Sequence, residues 1–309
     1  MSSELRLIGA EELRARLPMI AAVDALQDGF RTLDPTGGPL RTHVDTPGGS
    51  LLIMPAFGEA GVGVKLVSLT PANPERGLPF IHASYVLFDP ETQAPKGVLD
   101  GSALTALRTA AVSGLATRFL SRQDARRLVI FGAGVQARSH LEAMCAVRPV
   151  NDLVVVSRSR GAAEALVEEG LGRGLAARLG EPDAVREADL VCTCTTAEEP
   201  LFDGSWLPAG VHVNAVGSYR PETRELDTEA VRRARVVVET REVALTEAGE
   251  LLIPIREGVM DAGDIVADLA ETVRGAQVRR SPDEVTLFKS VGMAFEDLVV
   301  ARAVLDAGS

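Results

Sequence analysis

The sequence offers little to a metal ion, a disulfide or a nucleic acid. Three cysteines, Cys145, Cys192 and Cys194, occur in 309 residues. An odd number without disulfide-like spacing points to a reducing compartment. Cys192 and Cys194 form a C-x-C pair on a predicted strand, where alternate side chains share a face. No second Cys or His cluster accompanies them, so no metal is expected. His43, His140 and His212 have no partners at metal-like spacing, and His82 is a single histidine on a strand; none is assigned a catalytic role. The chain also lacks a basic surplus: 32 Lys and Arg stand against 43 Asp and Glu, a formal net charge of −11. Without a separate basic patch, that field repels a phosphate backbone, and nucleic acid is not expected as a partner. No apolar run approaches membrane-spanning length, and Glu4, Glu11 and Glu12 stand where a basic-then-apolar leader would. The expectation is no membrane association and a cytoplasmic location.

What is present is ordinary globular material, 46% hydrophobic and 24% charged, in a chain long enough for two domains. Leu13, Leu17, Ile20, Val23 and Leu26 recur at helical spacing between Ala10 and Leu33, with Pro18 in a first turn or splitting the helix in two. A Gly/Pro loop follows at Pro35–Pro39, then strand-like stretches at Ser50–Met54, Gly63–Leu69 and His82–Phe88. This third reads as an antiparallel or mixed sheet with flanking helices. Asp100–Leu120, rich in Ala, Leu and Thr, reads as a helix. From Arg127 strands and helices alternate: strands at Leu128–Phe131, Leu153–Val156, Leu190–Thr193, Val211–Val216 and Val236–Val238, helices at Gln136–Val147 and Ala162–Glu169. Such alternation predicts a parallel sheet covered by helices on both faces. Thr286–Ala307 reads as a helix, and Trp206 is expected to pack in the loop before the Val211 strand.

The strand Leu128–Phe131 runs into Gly132-Ala-Gly134-Val-Gln-Ala137 and then a helix, the G-x-G-x-x-A form of the dinucleotide fingerprint. The first glycine permits the tight turn, and the second lets a pyrophosphate approach the backbone. Ala137 allows close helix–strand packing, and the helix N-terminus faces the phosphates. Gly132, Gly134, Val135, Gln136 and Ala137 are therefore candidate cofactor-binding residues. After the second strand, where an NAD enzyme places an acid for the ribose 2′-hydroxyl, this chain has Ser157, Arg158, Ser159 and Arg160. No carboxylate there repels a 2′-phosphate, and Arg158 can pair with one or stack on the adenine. NADP(H) is expected over NAD(H).

Arg41, Met54-Pro55, Lys65, Asp100-Gly101, Arg108-Thr-Ala-Ala111, the glycine segment, Asn214-Ala-Val-Gly217 and Phe288-Lys-Ser-Val-Gly-Met293 then occur in one order and spacing. Together they resemble the ornithine cyclodeaminase/mu-crystallin family, from about residue 10 to 305, closest in motif detail to its ketimine reductases. The resemblance implies an α/β fold in which a doubly wound Rossmann sheet (119–288) is inserted into a second α/β domain (1–118 with 289–309) for substrate binding and dimerisation. It implies a homodimer, a small imino or amino acid substrate held through its carboxylate by Arg41, Lys65 and Arg108, and further cofactor contacts at Thr109, Thr195, Val216 and Gly217. Local chemistry agrees for two of them. Lys65 lies among apolar neighbours on a strand and Arg108 among Ala, Leu and Thr on a helix, so each needs an anionic partner, whether substrate or internal carboxylate.

Two departures from the family pattern matter. Cyclodeaminases and the related alanine dehydrogenase carry an acid/base Asp two residues after N-A-V-G; here that position is Tyr219. Cyclodeaminases also carry a Glu for the substrate's terminal amine where this chain has Leu52. Both favour NADPH-dependent reduction of a cyclic ketimine carboxylate such as Δ1-pyrroline-2-carboxylate. Lys65 or Tyr219 would then handle the proton, and Leu52, Phe57 and Tyr219 suit an apolar substrate end. The alternatives are an amino-acid dehydrogenase or cyclodeaminase with a displaced acid/base, and a protein that binds NADPH and a small carboxylate without turnover.

Overall fold

The structure, a computed structural model, describes residues 5–36 and 38–307. It divides into two compact units, Met1–Arg108 with Met293–Ser309, and Thr109–Gly292. The boundaries thus fall at 108/109 and 292/293, where the family resemblance implied 118/119 and 288/289. The helix Gly101–Leu120 runs through the first boundary, so composition along the chain gives no break there.

The first unit is built on a six-stranded sheet of β1 (Arg6–Ile8), β2 (Thr42–Thr46), β3 (Gly49–Gly58), β4 (Gly61–Leu69), β5 (Ile81–Phe88) and β6 (Pro95–Asp100), in the order β1-β6-β5-β4-β3-β2. It is mixed: β1 runs parallel to β6 and the other pairs are antiparallel. In β4 the residues Gly61, Gly63, Lys65, Val67 and Leu69 are buried and those between them are not, the period of two of a sheet with one covered face. The helix Ala294–Asp306 lies on β3, β4 and β5. The helix Met19–Thr32 packs on it in turn, Phe30 edge-on to Phe295 at 5.1 Å. Pro18 splits the first helical stretch into Ala10–Arg16 and Met19–Thr32, because proline cannot supply the amide a continuous helix needs.

The second unit is an eight-stranded parallel sheet: β7 (Arg127–Phe131), β8 (Asp152–Val156), β9 (Ala176–Leu179), β10 (Leu190–Thr193), β11 (His212–Ala215), β12 (Ala234–Val238), β13 (Ile265–Asp268) and β14 (Val285–Lys289). Its order is β13-β12-β14-β11-β10-β7-β8-β9. Starting from β7, successive strands are laid to one side (β8, β9) and then to the other (β10, β11). That reversal is the switch point of a doubly wound Rossmann sheet, and ligands bind outside the carboxyl ends of the strands there.

One sequence expectation is corrected. Thr286–Ala307 is not a single helix: Val285–Lys289 is a strand between β11 and β12, and the helix begins only at Ala294. All five residues of β14 are buried, so no alternation marked it as a strand, and an apolar run covered on both faces cannot be told from a buried helix by period. Gly292, at φ +83°, makes the break between the two elements in a conformation that suits glycine. The short strands β1, β2, β6, β9 and β13 were also not marked by pattern.

Candidate functional site

In the second unit, β7 delivers the chain into Gly132 at φ +98°, where a Cβ would lie 2.4 Å from the Cys194 carbonyl oxygen. Only glycine fits that turn. Gly134 then stands at the N-cap of the helix Val135–Val147, and a Cβ there would meet nothing within 4 Å. The open space there leaves room for a phosphate to approach the backbone at the helix N-terminus. Ala137 is fully buried against the sheet. A pocket of about 820 Å³ opens over these ends, lined among others by Gly132, Gly134, Ser157, Arg158, Ser159 and Thr195. Its walls come from the ends of β7, β8 and β10, on both sides of the switch point. Size, helix N-terminus and glycine backbone all suit a dinucleotide. Thr109, Val135, Gln136, Val216 and Gly217 are not among the lining residues, while Glu181 and Glu199 are carboxylates that sequence reading did not assign to it.

Asn214 of the N-A-V-G segment is buried instead, its Nδ2 donating to Thr117 Oγ1 at 2.9 Å. Tyr219 is half-buried against the apolar core of this unit, with the Arg220 guanidinium 5.7 Å from its ring centre. His140 and His212 are fully buried and hydrogen-bonded to Ser113 and Thr286; burial holds their pKa values at about 4 and about 3. Both are neutral structural groups at physiological pH. Among the described residues no cluster of His, Cys, Asp or Glu is arranged to hold a metal ion.

The first unit carries a buried charge cluster. Lys65 lies on the covered face of the sheet, opposite Met54 on β3 and Tyr85 on β5. Its Nζ is 2.7 Å from Asp297 Oδ2. Arg108 donates from Nε to Asp297 Oδ1 at 3.1 Å and from Nη1 to Glu296 Oε2 at 2.9 Å. Both carboxylates sit in the first turn of the helix Ala294–Asp306, where its dipole favours negative charge. All four side chains are buried. Lys65 has its pKa lowered to about 8, first by burial and then by the nearby Arg108 charge, against the opposing pull of Asp297; Arg41 adds a smaller repulsion. The sequence pointed to the three cations but missed Glu296 and Asp297. Lys65 and Arg108 are thus each held against a carboxylate of the same helical turn, with the Arg41 charge near enough to be felt at Lys65.

Leu52 is buried beside Met54, Val67 and Leu69, whereas Phe57 is 54% exposed at the end of β3. Phe57 thus belongs to the open surface, and only Leu52 of that pair is part of the unit's interior.

The profile of the ornithine cyclodeaminase/mu-crystallin family matches residues 7–309. The chain belongs to that family. It is 38% identical to the Δ1-pyrroline-2-carboxylate reductase of Bacillus cereus strain ZK / E33L over 96% of this chain and 94% of that one. It is equally 38% identical to the ketimine reductase mu-crystallin of Rattus norvegicus, over 97% and 95% of the two chains. Among solved structures it superposes on the Δ1-pyrroline-2-carboxylate reductase of Thermococcus litoralis, in complex with NADH and L-proline, with a TM-score of 0.93 and 38% identity over 98% and 97% of the two chains.

Proposed function

We propose that this family member is a nicotinamide-dependent oxidoreductase that reduces the C=N bond of a cyclic imino acid such as Δ1-pyrroline-2-carboxylate to the L-amino acid. The observation that carries this reading is the buried cluster of Lys65 and Arg108 with Glu296 and Asp297, in a chain that also holds a pocket of dinucleotide size over a glycine-rich turn. The nicotinamide, when bound, supplies the hydride. The protein's part is to hold the substrate and manage its proton. Arg41, Lys65 and Arg108 receive the carboxylate, the arginine fork bidentately. Glu296 and Asp297 fix the two buried cations in one arrangement before substrate enters, so little is lost in ordering them. An iminium already carries its own charge, so reduction calls for no strong general acid. Where the imine enters neutral, Lys65, ionised below about pH 8, is the group suited to give the ring nitrogen the proton that makes it an iminium. Loss of the reduced nicotinamide's absorbance on adding Δ1-pyrroline-2-carboxylate tests the reading, and no turnover with any cyclic ketimine would overturn it.

NADPH is expected to exceed NADH by at least about tenfold in kcat/KM, since Arg158 lines the pocket and no carboxylate ends β8. Arg158→Asp should reverse the preference. Equal efficiency with both cofactors in the parent enzyme would refute it.

A homodimer is the expected assembly. On the uncovered face of the first sheet, Val44, Ile53, Phe57, Val64, Leu66 and Val86 are exposed or only partly covered. The register sets Ile53 beside Leu66 and Val64 beside Val86, making one continuous apolar surface of the kind that marks an association site. Light scattering should give about twice the monomer mass of 32.6 kDa, and Leu66→Lys should give the monomer. A parent protein that is monomeric at micromolar concentration would exclude this assembly.

A further inference from the structure

The segments that follow β10 and β11 are tied together by one fully buried carboxylate, Glu225. Its Oε1 accepts hydrogen bonds from Thr195 N at 2.8 Å and Thr195 Oγ1 at 2.7 Å. Its Oε2 accepts from Thr193 Oγ1 at 2.6 Å and Gly217 N at 2.7 Å. The carboxylate's own backbone is anchored too: Glu225 N donates to Glu250 Oε1 at 2.9 Å, and Glu250 Oε2 is 2.9 Å from Lys289 Nζ. Gly217 has no space for a side chain, since a Cβ would lie 2.2 Å from the Thr195 carbonyl oxygen and 2.4 Å from Glu225 Oε1. Thr195 is a wall of the dinucleotide pocket.

We propose that Glu225 is a positioning residue for the cofactor: it clamps Thr195 to the Gly217 turn, fixing this wall of the pocket before the dinucleotide arrives. The inference rests on the dinucleotide reading above. Its chemistry is specific to a carboxylate. The two oxygens each accept from a backbone N–H, and those amides belong to different segments. Glutamine would place its NH2 against one of them whichever way the amide lay, and aspartate is one methylene too short to reach both. A buried charge is costly; four hydrogen bonds to it offset that cost and leave a pre-organised wall.

The test is Glu225→Gln in the full chain, with NADPH and NADH affinities read by nicotinamide fluorescence. Asp189→Asn is the comparison. Asp189 also accepts from two backbone amides, Arg126 N at 2.8 Å and Arg127 N at 2.9 Å, but at the start of β7 and β10, the end of the sheet away from the pocket. Both variants should melt at lower temperature. Only Glu225→Gln should raise the cofactor Kd, by at least about tenfold, with the imino acid KM changed by less than about twofold. A cofactor Kd unchanged in Glu225→Gln, or raised as much in Asp189→Asn, would overturn the clamp. If Glu225→Gln does not fold, Thr193→Val decides, since Thr193 donates to Glu225 without lining the pocket: removing that donor should weaken cofactor binding about threefold or more, and unchanged binding would overturn the proposal. A parent protein that binds neither nucleotide would defeat the dinucleotide reading itself, whereas normal binding by parent and variants alike would defeat the clamp alone.

Discussion

Alanine at Arg108 or at Lys65 is expected to abolish turnover, lowering kcat/KM on the order of a thousandfold, the effect of losing about 4 kcal/mol of interaction with a desolvated carboxylate. Part of that loss comes from the protein rather than the substrate. Arg108→Ala removes the guanidinium from both Glu296 and Asp297, and Lys65→Ala removes the ammonium from Asp297, so both variants should also melt at lower temperature. Arg41→Gln tests the third cation. Arg41 is half-buried before β2, and its change should raise the imino acid KM about tenfold. If Arg41→Gln leaves KM unchanged, Arg41 does not receive the substrate carboxylate. The pH profile gives a second check. Lys65 has its pKa lowered to about 8, so the charged form that attracts a carboxylate predominates below that value and is lost above it. The kcat/KM for the imino acid should therefore fall as pH rises through about 8; a flat profile to pH 10 would remove Lys65 from the substrate site.

The cations of this cluster were legible in the sequence and their partners were not, for a physical reason. A lysine among valines on a strand, or an arginine among alanines on a helix, announces locally that it needs an anion. Glu296 and Asp297 sit in an ordinary first helical turn, and they meet Arg108 only across 188 and 189 residues of chain. The same contrast runs through the Rossmann unit. Gly132, Gly134 and Ala137 act within one turn of their neighbours, and their spacing alone marked the turn from strand to helix. Glu225 lies in the polar stretch Arg224–Asp227, where nothing local separates a buried clamp from a solvated loop; its four donors come from β10, the segment after it and the turn after β11. The strand β14 was hidden by its own burial on both faces. Fold class was therefore readable from local pattern, while the charges that tune the site depend on which distant elements the topology brings together.

Ornithine and lysine should not be cyclised, although a cyclic ketimine is reduced. Cyclodeamination needs oxidation, loss of ammonia on ring closure and re-reduction, and the substrate's terminal ammonium must be accommodated throughout. At the position where relatives carry a Glu for that group, Leu52 is buried among Met54, Val67 and Leu69, side chains that offer an ammonium no hydrogen bond. Where relatives carry the acid/base Asp, Tyr219 packs half-buried against an apolar core. An unpaired ion in such surroundings costs at least several kcal/mol, roughly a thousandfold in binding. Reduction of a preformed cyclic iminium meets neither obstacle, since its ring carries no second ammonium and its nitrogen is already charged. Tyr219→Phe should accordingly lower kcat by less than about tenfold, because its hydroxyl is at most an accessory proton donor in that reaction. The decisive measurement is proline or pipecolate formed from ornithine or lysine with catalytic amounts of cofactor, set beside NADPH oxidation with Δ1-pyrroline-2-carboxylate. Cyclisation at a rate comparable to imine reduction would show that the acid has moved to another side chain and that the reductase reading is wrong.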